Sequence, residues 1–176
     1  IDLYQIHRWD PRTPVEETVR ALDHLIQSGK IRYVAASNMK GWHMGELFRL
    51  ADKIVADRVV SIQQAYSAIN RSAELEVLPF CARHNLAFMA YNPLAGGLLT
   101  GKYGTPEDNP LVESTAEPTE YAPRLQQFDM YRKRYYDPQA ARIATAFADY
   151  ARDRGNSPAQ LALAWVSGDP RVTTPI

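Results

Sequence analysis

The sequence contains one cysteine, Cys81, so no internal disulfide can form. The apolar run around it (Val77, Leu78, Phe80) predicts a small buried hydrophobe, not a reactive thiol. Net charge is missing too: 20 basic and 20 acidic side chains cancel, with no long run of either sign. That excludes the broad field by which proteins attract nucleic acid or an anionic membrane. No apolar stretch approaches the length of a membrane span, and no signal-peptide pattern is present. A reducing, cytoplasmic setting is therefore expected. His24, His43 and His84 lie on helix-like segments without metal-ligand spacing, so no metal site and no role for them is expected. No G-x-G-x-x-G follows the first strand-like segment, which removes the signature of a doubly wound dinucleotide-binding domain.

What is present alternates. Residues 1–6 read as a strand. Thr13-Pro14-Val15-Glu16 predicts a capped helix start, and Val15, Val19, Leu22 and Ile26 form one stripe ending at Gly29. Strands are predicted over 31–36, 59–63 and 86–91, with helices over 42–51 and 72–83, the latter bent at Pro79. Residues 104–137 are irregular, with a short helix near 125–134. Two helices follow: one opened by the cap and proline pair Asp137-Pro138 and running through Ile143, Phe147 and Tyr150, the other started at once by Ser157-Pro158 and running through Leu161, Leu163 and Trp165. A fifth strand is predicted over 171–174. This order means a parallel sheet with helical crossovers, an α/β fold. A (β/α)8 TIM barrel with about five of its strands present fits, since a whole barrel takes about 250 residues. Both ends read as strands, so residues 1–176 are expected to be one partial barrel domain from a longer protein.

In such a barrel, chemistry sits where strands end. Those positions carry His7, then Ser37 and Asn38, then Gln63, then Tyr91, Asn92 and Pro93. Alternation puts Leu3, Gln5 and His7 on one face, as it does Ser61 with Gln63 and Met89 with Tyr91. The fourth strand opens into Gly96-Gly97 and closes at Gly101-Lys102, glycines and a lysine suited to a phosphate.

DLYQIHRWD, the ASN of Ala36 to Asn38, QQAYSAINR and AYNPLAGGLLTGKY are together similar to the aldo-keto reductase superfamily. They most resemble its aryl-alcohol dehydrogenase-like and potassium-channel β-subunit-like branch, from the fourth barrel strand to the eighth. The resemblance implies an NADPH-dependent oxidoreductase that interconverts carbonyls and alcohols, with a small-molecule carbonyl substrate. It also implies residue roles. His7 is matched to the histidine that hydrogen-bonds the substrate carbonyl, and Trp9 to the substrate mouth. Ser37, Asn38 and Gln63 are matched to the nicotinamide carboxamide site, and Tyr91 to the ring that stacks on the nicotinamide. Asn92 stands where the family more often has Ser. Pro93, Leu94, Ala95, Gly97 and Lys102 are matched to the loop over the pyrophosphate. Ala65 stands where many members have an acidic residue, with no catalytic loss expected.

The family's tyrosine acid, with its lysine and aspartate, has no match among these residues, so the isolated chain is expected to be inactive. The alternative that the resemblance leaves open is a non-catalytic nicotinamide-binding regulatory subunit of the channel type. Trp42 and Trp165 read as helix–barrel packing, and Tyr131 to Tyr136 as a solvated surface. An open arc of strands leaves sheet edges, so oligomerisation of the isolated chain is expected.

Overall fold

A computed structural model describes residues 1–54, 59–104, 125, 128–135 and 137–176. Five strands form one parallel sheet in chain order: β1 (Leu3–Ile6), β2 (Tyr33–Ser37), β3 (Ser61–Ala65), β4 (Ala87–Tyr91) and β5 (Thr174–Pro175). Among the described residues, six α-helices accompany them: α1 (Val15–Gln27), α2 (Gly41–Ile54), α3 (Val77–His84), α4 (Asp129–Tyr135), α5 (Pro138–Asp153) and α6 (Pro158–Ser167). Parallel strands in sequential order, with helices in the crossovers, are the architecture of part of a (β/α)8 barrel.

Register fixes the two faces. Gln5 pairs with Ala35, Ser37 with Gln63, Gln63 with Met89, and Ala65 with Tyr91. Side chains alternate along a strand, so these residues share one face, and Ala36, Ile62, Phe88 and Ala90 share the other. The second face is the core side. It packs against Met44, Leu47 and Phe48 of α2, Val77, Leu78 and Cys81 of α3, and Val166 of α6. Burial pushes the Cys81 thiol up to about 12, which makes it the inert hydrophobe expected.

Several local expectations are corrected. Thr13 does not cap α1; its hydroxyl donates to Asp10 Oδ2 at 2.9 Å, and the helix starts after Pro14 without a side-chain cap. Pro79 bends nothing. It lies in the first turn of α3, where backbone N–H groups lack helical partners anyway, and the break falls earlier, between a 3-10 turn at Ser72–Glu74 and Val77. In α5 the buried stripe is Ala141, Ala144, Ala148 and Ala151, while Ile143 and Tyr150 are exposed. The reason is close approach: a Cβ on Gly101 (φ +72) would come within 2.9 Å of Ala148 Cβ, so only small residues fit that face. In α6 Ala162 and Val166 are buried and Leu163 is exposed. The Asp137 cap holds as expected, accepting from the Gln139 and Ala140 N–H groups at 2.8 and 2.9 Å. Most of the 104–137 segment lies outside the described residues; of its expected helix, Asp129–Tyr135 is described.

The fifth strand is shorter than expected because Asp169 holds the chain before it in a local turn. Its carboxylate accepts from the Arg171 N–H and pairs with the Arg171 guanidinium at 2.6 Å. The same carboxylate and Glu74 both lie within hydrogen-bonding distance of the buried Tyr66 hydroxyl, at 2.9 and 2.8 Å. Arg71 pairs with Glu74, so two cations balance two carboxylates around one phenol. This cluster ties the end of β3 to the segment entering β5 and to the Glu74 turn.

Arg171 beside it holds the Asp169 carboxyl far below its ordinary 3.8. A depressed carboxyl stabilises fully above its unfolded value, and that stabilisation is lost as pH falls toward the folded value. Asp169→Asn should therefore destabilise the protein by about 1–3 kcal/mol at pH 7. It should also flatten the loss of stability below about pH 4. Urea midpoints measured from pH 7 to pH 2.5 check this; an unchanged slope would remove the cluster from the account.

Candidate functional site

Asn38 follows β2 in a left-handed conformation (φ +54), which asparagine tolerates better than most residues. That geometry aims its side chain across the strand ends. Nδ2 donates to the His7 carbonyl after β1 and to Ser37 Oγ, both at 2.9 Å. Oδ1 accepts from the Tyr91 hydroxyl of β4 at 2.7 Å. The Asn38 N–H donates to the Gln63 carbonyl of β3 at 3.1 Å. One residue thus links four strand ends, and both of its amide hydrogens are engaged; Oδ1 keeps a second lone pair.

Ser37 is buried. Its hydroxyl donates to the Gln63 carbonyl at 2.9 Å while accepting from Asn38. Gln63 is oriented by Gln5, whose Nε2 donates to Gln63 Oε1 at 2.8 Å. With Oε1 occupied, Gln63 turns its own NH2 donors into the space beside it. Gln5 is a positioning residue that the sequence placed on the right face without a role; its register partner, Ala35, is small and lies on the face that carries Ser37, Ser61 and Gln63, and a glutamine there has room to reach them.

Around these groups lies a cleft of about 670 Å³, lined by His7, Arg8, Trp9, Ser37, Asn38, Gln63, Tyr91, Asn92, Met130, Tyr131 and Arg134. The structure thus brings together seven of the expected site residues. It also adds three from α4, which corrects the reading of Tyr131 to Tyr136 as solvated surface. Tyr135 is buried, and its hydroxyl accepts from Asn92 Nδ2 at 2.8 Å; Tyr131 and Arg134 face the cleft. Tyr136 lies outside the described residues. The described lining carries His7, Arg8 and Arg134 and no carboxylate, so the cleft favours anionic or electron-rich ligands. Burial raises the Tyr91 phenol, and the Arg134 charge pulls it the other way.

Pro93, Leu94, Ala95, Gly97 and Lys102 do not line the cleft. The Ala95 and Gly97 N–H groups are turned inward, to the Asn92 and Leu94 carbonyls, both at 2.9 Å. The glycine pair is covered by the chain's own side chains. A Cβ on Gly96 would meet Leu125, Tyr135 and Tyr131 at 3.1 to 3.3 Å. One on Gly97 would meet Lys102 Cε and Nζ, each at 3.0 Å. The Lys102 ammonium lies 5.2 Å from the Tyr103 ring centroid. Gly96 is therefore the seat of α4, and Gly97 the resting place of Lys102.

On the opposite rim, Trp9 stacks on the buried His43 ring with centroids 4.2 Å apart and planes 5° apart. Trp42 is exposed and meets Trp9 edge-on at 5.6 Å, so it belongs to this rim cluster and not to helix–barrel packing. Trp165, as expected, packs against the core.

Asn38→Gly keeps the backbone freedom and deletes the amide. It should cost about 2–3 kcal/mol, from three side-chain hydrogen bonds of roughly 1 kcal/mol each. It should also release Tyr91. Denaturant midpoints and the ultraviolet difference spectrum of the tyrosines read both effects; a loss under about 0.5 kcal/mol would show that the strand ends hold without it.

The chain can be compared with known proteins. The aldo/keto reductase family profile matches residues 1–176. The oxidoreductase YrpG of Bacillus subtilis, called uncharacterized, is 36% identical over 176 residues, all of this chain and 48% of YrpG. AAD16 of Saccharomyces cerevisiae, whose name includes aryl-alcohol dehydrogenase, is 33% identical over 94% of this chain and 45% of its own. Human aldo-keto reductase family 7 member A3 is 44% identical over 110 residues, 62% of this chain and 33% of its own. The chain spans about half the length, or less, of these curated relatives. A parallel sheet whose strand ends converge on one cleft, and a match over every residue, lead to one conclusion: the chain belongs to the aldo/keto reductase family.

Proposed function

We propose that the protein carrying this chain is an NADPH-dependent reductase of aldehydes or ketones, and that the cleft at the ends of β1 to β4 is its nicotinamide and substrate site. The observation that carries this is the fixed amide of Gln63 beside the Asn38–Tyr91 hydrogen bond at 2.7 Å. A carboxamide needs both a donor and an acceptor opposite it. Gln63 Nε2 offers donors, and the spare lone pair of Asn38 Oδ1 offers an acceptor. The Tyr91 ring, held by its hydroxyl, forms a flat wall beside them. The residues present therefore fit a nicotinamide.

The reduced nicotinamide, when bound, supplies a hydride to the carbonyl carbon. The chain's residues do the rest of the work assigned here. Gln63 and Asn38 bind the carboxamide, with Ser37 and Gln5 fixing their geometry. Tyr91 limits the tilt of the ring. His7 orients the carbonyl oxygen, and Trp9 walls the substrate side. Asn92 is tied to Tyr135, so it serves by anchoring α4 over the cleft. Pro93, Leu94, Ala95, Gly97 and Lys102 form the loop beside the pyrophosphate. The Ala95 and Gly97 N–H groups are already engaged, so Lys102 provides the attraction, leaving Gly97 as it does so. The proton is assigned to a tyrosine outside this sequence, paired with a lysine and an aspartate, as the resemblance implies.

Titration of the full-length protein with NADPH, followed by fluorescence, should show saturable binding. Gln63→Ala should weaken it about tenfold, the loss of one or two hydrogen bonds. His7→Ala should leave cofactor binding within about twofold and lower kcat/KM for an aromatic aldehyde by about 100-fold. Failure to bind either NADPH or NADH would overturn the proposal. The 176-residue chain alone should show no turnover; measurable reduction by it would place the proton donor among the residues described above.

A further inference from the structure

A second cavity, of about 220 Å³, lies behind Trp9. Ile6, Val15, Met39 and Leu47 form its apolar lining, with Asp10, Thr13 and Thr18 also contributing. It shares Arg8 and Trp9 with the cleft, so the indole stands between the two spaces. An indole edge on a loop after a strand would ordinarily turn freely, but this one is clamped. His43 lies parallel to it at 4.2 Å, and Trp42 meets it edge-on at 5.6 Å. The clamp is itself fixed. His43 is 8% exposed, and its Nδ1 accepts from the Lys40 N–H at 3.1 Å, which sets the tautomer and the ring plane. Its ring also contacts Trp42 at 3.9 Å.

We propose that Trp9, held by His43, is the partition that limits the length of substrate the cleft accepts, and that the pocket behind it is a side extension suited to an aryl or alkyl group. The inference rests on the carbonyl-reductase reading of the cleft. Its chemistry is simple. Four apolar side chains form the inner wall of the extension and the exposed Asp10 and Thr13 its rim, and its volume exceeds the roughly 150 Å³ that takes up benzene. It has room for one more phenyl ring once the indole is gone. His43 acts on substrate only through Trp9, so it is a positioning residue. The sequence placed His43 on a helix with no role; its position beside Trp42, shortly after the Ser37-Asn38 turn, is what brings it beneath Trp9.

The test uses the full-length protein with benzaldehyde and 4-phenylbenzaldehyde. The unaltered protein should favour benzaldehyde in kcat/KM. Trp9→Ala should shift the ratio toward 4-phenylbenzaldehyde by tenfold or more, and Trp9→Phe should give an intermediate shift, which decides the matter if the alanine variant does not fold. His43→Ala should raise KM for benzaldehyde more than it lowers kcat, and should abolish the near-ultraviolet circular dichroism of the Trp9–Trp42 pair. His43→Phe, which restores a flat ring, should recover both. A ratio unmoved in the folded Trp9 variants, or equal use of both aldehydes by the unaltered protein, overturns the partition. NADPH binding is measured on the same samples. Its loss in the unaltered protein would overturn the functional reading, whereas intact binding with an unmoved ratio overturns the partition alone.

Discussion

The site depends on one left-handed asparagine. Asn38 takes the strand exit of β2 and turns its amide sideways, so that the ends of β1, β3 and β4 are all bonded to it. Parallel strands have no hairpins to fix their relative heights, and their loops are free to drift. A residue that bonds to three neighbours at once removes that freedom where the cleft forms. Tyr91 has a defined face only because its hydroxyl is held, and Gln63 presents donors only because Gln5 takes its oxygen. The polar groups of the cleft are therefore arranged before any ligand arrives, which is the condition for recognition at low reorganisation cost.

Behind the cleft the demand is different. Alanine and glycine, not large side chains, decide how α5 meets the loop after β4, because the two backbones approach closely at Gly101 and Ala148. The same loop seats α4 on Gly96 and parks Lys102 on Gly97. The resting place of the Lys102 ammonium and the seat of the helix over the cleft are thus one pair of adjacent residues. In sequence the glycines suit an anion cradle. Their neighbours are three tyrosines, a leucine and the lysine itself.

Much of this was legible in sequence. Polar residues closing apolar strands marked His7, Asn38, Gln63 and Tyr91, and the structure gathers them, with Trp9, Ser37 and Asn92, around one space. Alternating elements marked the parallel sheet. What stayed hidden depends on partners distant in the chain. Nothing in Arg134 or Tyr131 announces a cleft; α4 reaches it because Gly96 lacks a Cβ. Nor does His43 differ from any helix histidine until Trp9 lies on it. The buried stripes of α5 and α6 escape a hydrophobic pattern because size, not apolarity, decides which face of each helix packs. Pro79 leaves α3 straight because that helix starts at Val77 and not at Ser72.

Cys81 is buried against the sheet, and its thiol is held near 12. The stretch of chain that builds the cleft therefore has no thiol that reacts at neutral pH. Two cysteines introduced at the rim, one on α4 and one beside Trp9, would be alone in taking up a thiol-directed dye or spin label within these 176 residues. Distances between the α4 roof and the Trp9 wall are then accessible to labelling without first stripping native cysteines from the sequence.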